Sequence, residues 1–277
     1  APPVRGLAPV VVTLSNHPLS VLRPGITINM LTSLRERLEL LVGSGVAAVA
    51  PITFTRDISL LGAPEFMSNL KDCLGLEHFV VGPDVALGHN REGDLATLSA
   101  IGDDLGYTVE TANQFSIDGM PVRSTAIREA LRNCDLYLTE RFLGRRFAVD
   151  GPVVEGEGRG SGLLGFPTAN IGLGPLQALP GDGIYASWIT LSDGRRLPAA
   201  ASVGYKPTFH DEGPIVVEAF ILDFDDNLYG EHVRLEFVSR LRDQERFGSV
   251  EALAAKINED VTETRRVLEI DLSLIHI

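Results

Sequence analysis

The chain has 277 residues, 44% hydrophobic and 22% charged, with a formal net charge of −13. That length exceeds what one ordinary core holds, so two folded domains are expected, each with a core of its own. The acidic balance and the lack of a basic stripe exclude a nucleic-acid surface, and a small-molecule partner is expected instead.

In chain order, Val10 to Leu14 reads as a strand, and Ser33 followed by Glu36 as a capping box opening a helix through Leu41 that Gly43 and Gly45 end. Val46 to Phe54 is a second strand, Pro64 to Leu74 a helix, and Phe79 to Val81 a third strand. Asp94 to Leu105 is a helix, Tyr107 to Glu110 a strand, and Ser124 caps a helix from Thr125 to Arg132. Alternating strands and helices predict an α/β doubly wound parallel sheet.

After Arg146 glycines and prolines crowd together and helical periodicity stops until the last segment. Val153-Val154, Ile184 to Leu191, Ala199 to Val203, Val216 to Phe224 and Val233 to Val238 read as strands. A small antiparallel β-barrel is the expected closure. A final helix begins near Ser249, with Val250, Leu253, Ile257, Val261 and Leu268 on one face to pack against the barrel. The boundary falls between Leu143 and Phe147, giving domains 1–144 and 145–271. The closing residues 272–277 read as translated adapter DNA and are set aside from the fold.

Cys73 and Cys134 lie in unrelated segments and form neither a disulfide framework nor a zinc spacing, which suits a reducing cytoplasm. The most apolar stretch, Val42 to Ile52, is too short for a membrane span and is broken by glycines, so no membrane partner is expected.

The densest motif is a loop containing Gly156, Gly158, Gly160, Gly162 and Gly165, whose backbone N–H groups can approach an anion without Cβ interference. Gly160 to Gly165 matches G-x-G-x-x-G, but Phe166-Pro167 comes next where a dinucleotide site needs a helix, and the Lys-Ser/Thr of a P-loop is missing. The glycines alone read equally as a glycine-rich hairpin. Beyond Pro167 the extended chain turns Thr168 and Asn170 to one side and Ala169 to the other. A hydroxyl and a carboxamide oxygen on one face suit Mg²⁺ that also holds ATP phosphates, although Thr-x-Asn by itself is usually a turn.

Glu218 is the second marked position. Val216, Phe220, Leu222 and Phe224 share its side of the expected strand, and a lone carboxylate among them is costly to bury unless something uses or pairs it. A structural ion pair, with Arg242 for example, explains it as well as chemistry does.

From Gly156 to Asn170 the chain closely resembles the ATP-binding loop of riboflavin kinases. Further motifs of that family come in order: Gly183-Ile184-Tyr185-Ala186, Val203 to Phe209, Glu218, Leu228-Tyr229-Gly230, and Leu241-Arg242-Asp243 ahead of Phe247. The resemblance implies ATP-dependent phosphorylation of riboflavin to FMN. It implies ATP binding by Gly158, Arg159, Gly160, Ser161, Thr168 and Asn170, with Mg²⁺ on Thr168 and Asn170. Glu218 is implied as the general base that deprotonates the ribityl hydroxyl, and Arg242 and Phe247 as flavin-side residues. The chain departs from the family's usual residues at Gly162 (often Lys), Lys206 (often Asn) and Gln244 (often Glu). A non-catalytic flavin-binding or regulatory protein is the alternative; retention of Thr168, Asn170 and Glu218 together speaks for chemistry.

The first half resembles the FMN adenylyltransferase domain that bacteria fuse to this kinase, which makes FAD from FMN and ATP. His17-Pro18, Val80 to Asp84 with Gly88-His89, and Arg123-Ser124-Thr125-Ala126-Ile127-Arg128 carry that likeness. It implies that His17, Asp84, Ser124, Thr125 and Arg128 belong to an adenylyltransferase site. Ser124 and Thr125 at a helix start also suit an anion physically, or serve as a plain cap. The family's Gly-x-His-x-Gly-His motif is expected before Val10 and is not in the sequence, Arg123 stands for a serine, and Val85 and Leu87 stand for aromatics. A start truncated before that motif is expected, and with it a chain that makes FMN but not FAD.

Overall fold

The computed structural model describes residues 6–156, 168–174, 176–205, 215–245 and 247–275. The chain forms two compact units: Ala1–Ile28 with Arg37–Val122, and Asn29–Glu36 with Arg123–Ile277.

In the first unit, β1 (Val10–Leu14) pairs in parallel with β2 (Ala48–Ile52), and β3 (His78–Val81) in parallel with β4 (Thr108–Thr111). Among the described residues these are two separate pairs. Two helices, α3 (Ala63–Leu74) and α4 (Leu95–Leu105), pack through Ala63, Met67, Leu70, Leu98 and Ile101, with Tyr107 beneath them. Asp94 caps α4 by accepting from Thr97 N at 2.9 Å, and Gly106 ends it in the left-handed conformation at φ 73°. Three short elements escape periodicity: α1 (Pro18–Leu22) and the hairpin of β5 (Ser116–Ile117) and β6 (Met120–Pro121). The hairpin turns on Asp118-Gly119, both at positive φ, an Asp-Gly signal that the sequence does carry.

The second unit is built on a closed barrel of six strands in the order β10-β11-β8-β7-β12-β9, each neighbour antiparallel. The strands are β7 (Ala148–Val154), β8 (Thr168–Ile171), β9 (Gly183–Thr190), β10 (Arg196–Tyr205), β11 (Ile215–Ile221) and β12 (His232–Arg242). Alternation places Val149, Val203, Val217, Ala219 and Leu235 fully inside, around Phe237, which stacks on Phe147 and meets Tyr185 edge-on. Two helices precede the barrel, α5 (Ser124–Arg132) and α6 (Leu136–Leu143), the second starting at the Asp135 cap. The last helix, α7 (Val250–Ile275), lays Leu268 and Val267 on Ala186 and Trp188, and it continues past Asp271 into the closing segment.

The expected capping box at Ser33 is half realised. Ser33 Oγ accepts from Glu36 N at 3.1 Å, at the start of α2 (Leu34–Gly43). The Glu36 side chain does not complete the box; its Oε1 lies 2.9 Å from Arg234 Nη1 and 3.3 Å from Arg145 Nη2. Two guanidinium groups hold a carboxylate more strongly than one backbone N–H does. Residues 29–36 are a strap of the second unit: Arg128 Nε donates to Asn29 O, Met30 bridges Gln177, and Ser33 Oγ bonds Asp150.

Candidate active site

The glycine loop's Gly158, Arg159, Gly160 and Ser161, with Gly162 and Lys206, lie outside the described residues. Immediately beyond the loop, in β8, Thr168 and Asn170 share one face while Ala169 and Ile171 are buried in the barrel, as the extended geometry after Pro167 predicts. Adjacent β11 puts Phe220 opposite Thr168 and Glu218 opposite Asn170. Paired side chains in such a ladder start about 5 Å apart at Cβ. Three residues marked by separate features of the sequence therefore meet on one patch.

That patch lies on the outer face of the barrel, which corrects the expectation for Glu218. The buried side of β11 is Val217, Ala219 and Ile221, whereas Glu218 shares a half-buried face with Val216 and Phe220. β11 stops at Ile221, and Asp223 at φ 56° turns the chain, so Leu222 and Phe224 do not continue that face. The carboxylate avoids full desolvation; its position opposite Asn170, not a burial penalty, makes it notable.

Asn170 is also approached from the loop side. A Cβ on Gly156 would fall 2.2 Å from Asn170 Nδ2, so the carboxamide rests against a backbone that only glycine leaves open. Beside Thr168 a groove of about 210 Å³ opens between Ala169, Phe224, Leu228 and Tyr229.

Arg242 ends β12 and is bound in bidentate fashion by Asp260 of α7, at 2.8 Å and 2.7 Å. This hydrogen-bonded pair raises the guanidinium pKa above its ordinary value against the opposing effect of burial. The Arg242 guanidinium also sits over the Phe247 ring, 5.8 Å from its centre. Arg242 is thus an anchor between strand and helix through Asp260. A cavity of about 580 Å³ opens beside it, lined by Leu241, Lys256, Asp260 and Glu263 among others.

The other positions divide between the units. In the first, His17 is the cap of α1: its Nδ1 accepts from Leu19 N at 3.1 Å, which leaves Nε2 to carry the proton of the neutral ring. Asp84 lies beyond β3 in the turn closed by Val85 N on Gly82 O. In the second, Ser124 is the first residue of α5 and not its cap, because Arg123 holds the extended cap conformation at φ −138° and ψ 147°. Thr125 is next to it, and the Arg128 guanidinium is committed to Asn29 O at 2.6 Å. Among the described residues no group of three or more His, Cys, Asp or Glu could hold a metal, and no helix is long and apolar enough to cross a membrane.

Comparison with known proteins assigns both halves of the chain to families. A family model described as riboflavin kinase covers residues 143–268, and one described as FAD synthetase covers residues 3–126. A bifunctional riboflavin kinase/FMN adenylyltransferase of Pseudomonas fluorescens is 38% identical over 224 residues, 80% of this chain and 71% of that protein. The protein of the same description in Escherichia coli K12 is 34% identical over 257 residues, 92% of this chain and 81% of its own. A crystal structure described as a macrolide-efflux protein from Streptococcus pneumoniae is similar at TM-score 0.80 and 27% identity, covering 94% of this chain and 84% of that one. With both models matched in order and relatives aligned over most of their length, the chain belongs to the bifunctional riboflavin kinase/FMN adenylyltransferase family.

Proposed function

We propose that this chain transfers the terminal phosphoryl group of ATP to riboflavin, forming FMN, on the outer face of the barrel where Thr168, Asn170 and Glu218 adjoin. The observation that carries this reading is the pairing of Glu218 with Asn170 across β11 and β8. It sets a carboxylate beside neutral oxygen donors, the combination needed to align a hydroxyl against a phosphate. Glu218 accepts the proton of the ribityl terminal hydroxyl and orients its oxygen, a role in which positioning matters more than basicity.

Mg²⁺ fits the donors present. The Thr168 hydroxyl and Asn170 carboxamide oxygen are hard neutral ligands on one face of β8. Bound there, the ion would neutralise charge on the ATP phosphates. The glycine loop with Gly158, Arg159, Gly160 and Ser161 cradles those phosphates, and the groove beside Thr168 continues the nucleotide side. Arg242 and Phe247 form the flavin side, with Asp260 fixing the guanidinium so that it holds α7 near the ring. Cys73 and Cys134 are free thiols, as a reducing cytoplasm keeps them.

FMN adenylylation to FAD is the second reaction of the family, and it belongs to the segment matched by the FAD synthetase model, residues 3–126. Incubation of the pure chain with riboflavin, ATP and Mg²⁺, followed by chromatography of the flavins, tests both halves. An FMN peak is expected. Riboflavin left unchanged would replace the kinase reading by a flavin-binding one, and an FAD peak reads the second reaction directly.

A further inference from the structure

Gln244 reaches across a strand. Around the barrel β9 lies between β12 and β10, and Ile184 of β9 pairs with Arg242 on one side and Ser202 on the other. With strands about 4.8 Å apart, β12 and β10 are roughly 10 Å from each other there. Two residues past Arg242, Gln244 Nε2 closes that gap: it donates to Ser202 Oγ at 2.9 Å and to Val203 O at 3.1 Å.

The barrel rim is shaped for this crossing. β9 starts at Gly183, which pairs with Val203, so at Gly204 the ladder of β10 has β11 on one side and no β9 residue on the other. Gln244 occupies that edge. A Cβ on Gly204 would fall 2.4 to 2.6 Å from three atoms of its carboxamide, and a Cβ on Gly183 would fall 2.7 Å from Arg240 Nε and 2.8 Å from Arg242 O. The two glycines leave the room that segment 240–244 fills. Alternate residues of the segment are tied to three places. Arg240 Nη2 donates to Asp182 O at 2.5 Å, just ahead of β9, Arg242 is gripped by Asp260 of α7, and Gln244 holds β10. The Phe247 ring under the Arg242 guanidinium comes three residues beyond Gln244.

We propose that Gln244 is a positioning residue for riboflavin: by crossing β9 and gripping β10 it sets the turn that carries Arg242 and Phe247. This rests on the reading of Arg242 and Phe247 as the flavin side. The strand that Gln244 grips is the one whose Ser202 pairs with Glu218, so the brace fixes that side relative to the phosphoryl-transfer row. An amide suits the place because its two protons meet two acceptors. A carboxylate would keep only Ser202, whose hydroxyl can turn to donate, and would set its charge against Val203 O.

The test measures riboflavin binding to the full chain by flavin fluorescence, beside the KM values for FMN formation. Gln244→Ala removes both bonds, and the riboflavin Kd and KM are expected to rise about tenfold while the KM for Mg²⁺–ATP holds. Gln244→Glu keeps one partner and is expected to raise them about threefold. Gly204→Ala alters neither Arg242 nor Phe247, but its Cβ displaces the carboxamide, and it is expected to match Gln244→Ala. Combining Gly204→Ala with Gln244→Ala is expected to cost no more than either alone, because the added methyl then has no carboxamide to displace; independent structural losses would add. Phe247→Ala is the control. If it weakens riboflavin binding while Gln244→Ala and Gly204→Ala do not, the positioning proposal falls and the flavin-side reading stands. If Phe247→Ala binds riboflavin like the wild type, both fall. A KM for Mg²⁺–ATP that rises in step with that for riboflavin would make Gln244 a general support of the barrel and overturn the proposal. Should Gly204→Ala fail to fold, Gln244→Ala and Gln244→Glu decide.

Discussion

Glu218 of β11 and Asn170 of β8 are directly opposed in one antiparallel ladder, on the barrel face that points away from the core. The pairing joins the end of the glycine-loop motif to a carboxylate 48 residues further along the chain. Replacing Glu218 by Gln keeps the shape and removes the base. Turnover at saturating substrates is expected to fall by about 10²- to 10⁴-fold, with riboflavin binding measured by fluorescence nearly unchanged. Wild-type turnover in that variant removes Glu218 from the mechanism.

Gly156→Ala tests the other member of the pair without touching it. Its Cβ would overlap Asn170 Nδ2, which must rotate away because the backbone at 156 is less free to move than the end of a side chain. The KM for Mg²⁺–ATP is expected to rise about tenfold, as for loss of one modest polar contact, while that for riboflavin holds. Unchanged KM values would mean that the orientation of Asn170 does not matter to nucleotide binding.

Much of this site was legible because a strand has a period of two: Thr168 and Asn170 had to share a side once the chain was extended. Which side was not legible for Glu218. Both faces of Ile215–Ile221 carry apolar residues, and only closure of the barrel decides that Val217, Ala219 and Ile221 go in. The hydrogen bond from Gln244 Nε2 to Ser202 Oγ carried no local signal, since the two residues lie 42 positions apart. Arg242 was marked by its motif, but its partner Asp260 lies a full turn and more inside a helix that periodicity reads only for its apolar face. Boundaries failed at caps: α5 starts at Ser124 because Arg123, a poor capping residue, occupies the cap position.

The strap of residues 29–36 gives a stability prediction for the kinase unit. Glu36 is 4% exposed and faces Arg145 and Arg234, and burial lowers the pKa of Arg145 while the Glu36 charge opposes that shift. Glu36→Gln leaves two guanidinium groups facing a neutral amide. A loss on the order of 2 kcal/mol is expected, below the figure for a fully buried pair because both arginines stay partly exposed. Denaturant unfolding followed by the barrel's tryptophan measures it; a midpoint unchanged within error would show the strap to be energetically idle.

Asp94 gives a pH dependence for the first unit. The backbone N–H of Thr97 holds its carboxyl below the ordinary value. A depressed folded-state pKa contributes stability above the unfolded value of about 3.9 and loses it as pH falls through the folded value. Asp94→Ala is therefore expected to melt lower than the wild type at pH 7, and the gap is expected to close at pH values below about 4. A gap that persists in acid would assign the loss to packing and not to the cap.

At the far end of α7, Asp271 is 7% exposed and holds the segment before β7 and strand β9: Arg146 Nη1 donates to Oδ2 at 2.8 Å, Arg146 Nη2 bonds Oδ1, and Trp188 Nε1 donates to Oδ2 at 2.9 Å. On its other side Trp188 carries the Arg196 guanidinium 4.5 Å from its ring centre, so the indole is fixed from two directions. Trp188 is the single tryptophan of the chain, which makes its emission a direct reading of this clamp. Asp271→Ala leaves Arg146, itself only 16% exposed, with only Glu140 Oε1 at 3.8 Å from its Nε, and frees the indole N–H. A loss of about 2 kcal/mol, or about 4 to 8 °C in melting temperature, is expected, together with a red shift of Trp188 emission as α7 loosens and water reaches the ring. Arg146→Met tests the same clamp from the other partner: it leaves the more buried Asp271 carboxylate with the Trp188 N–H alone, so a stability loss at least as large is expected, while that hydrogen bond and the native emission remain. A loss in Arg146→Met far smaller than that in Asp271→Ala would place the stabilisation in packing around the aspartate and not in the charge pair.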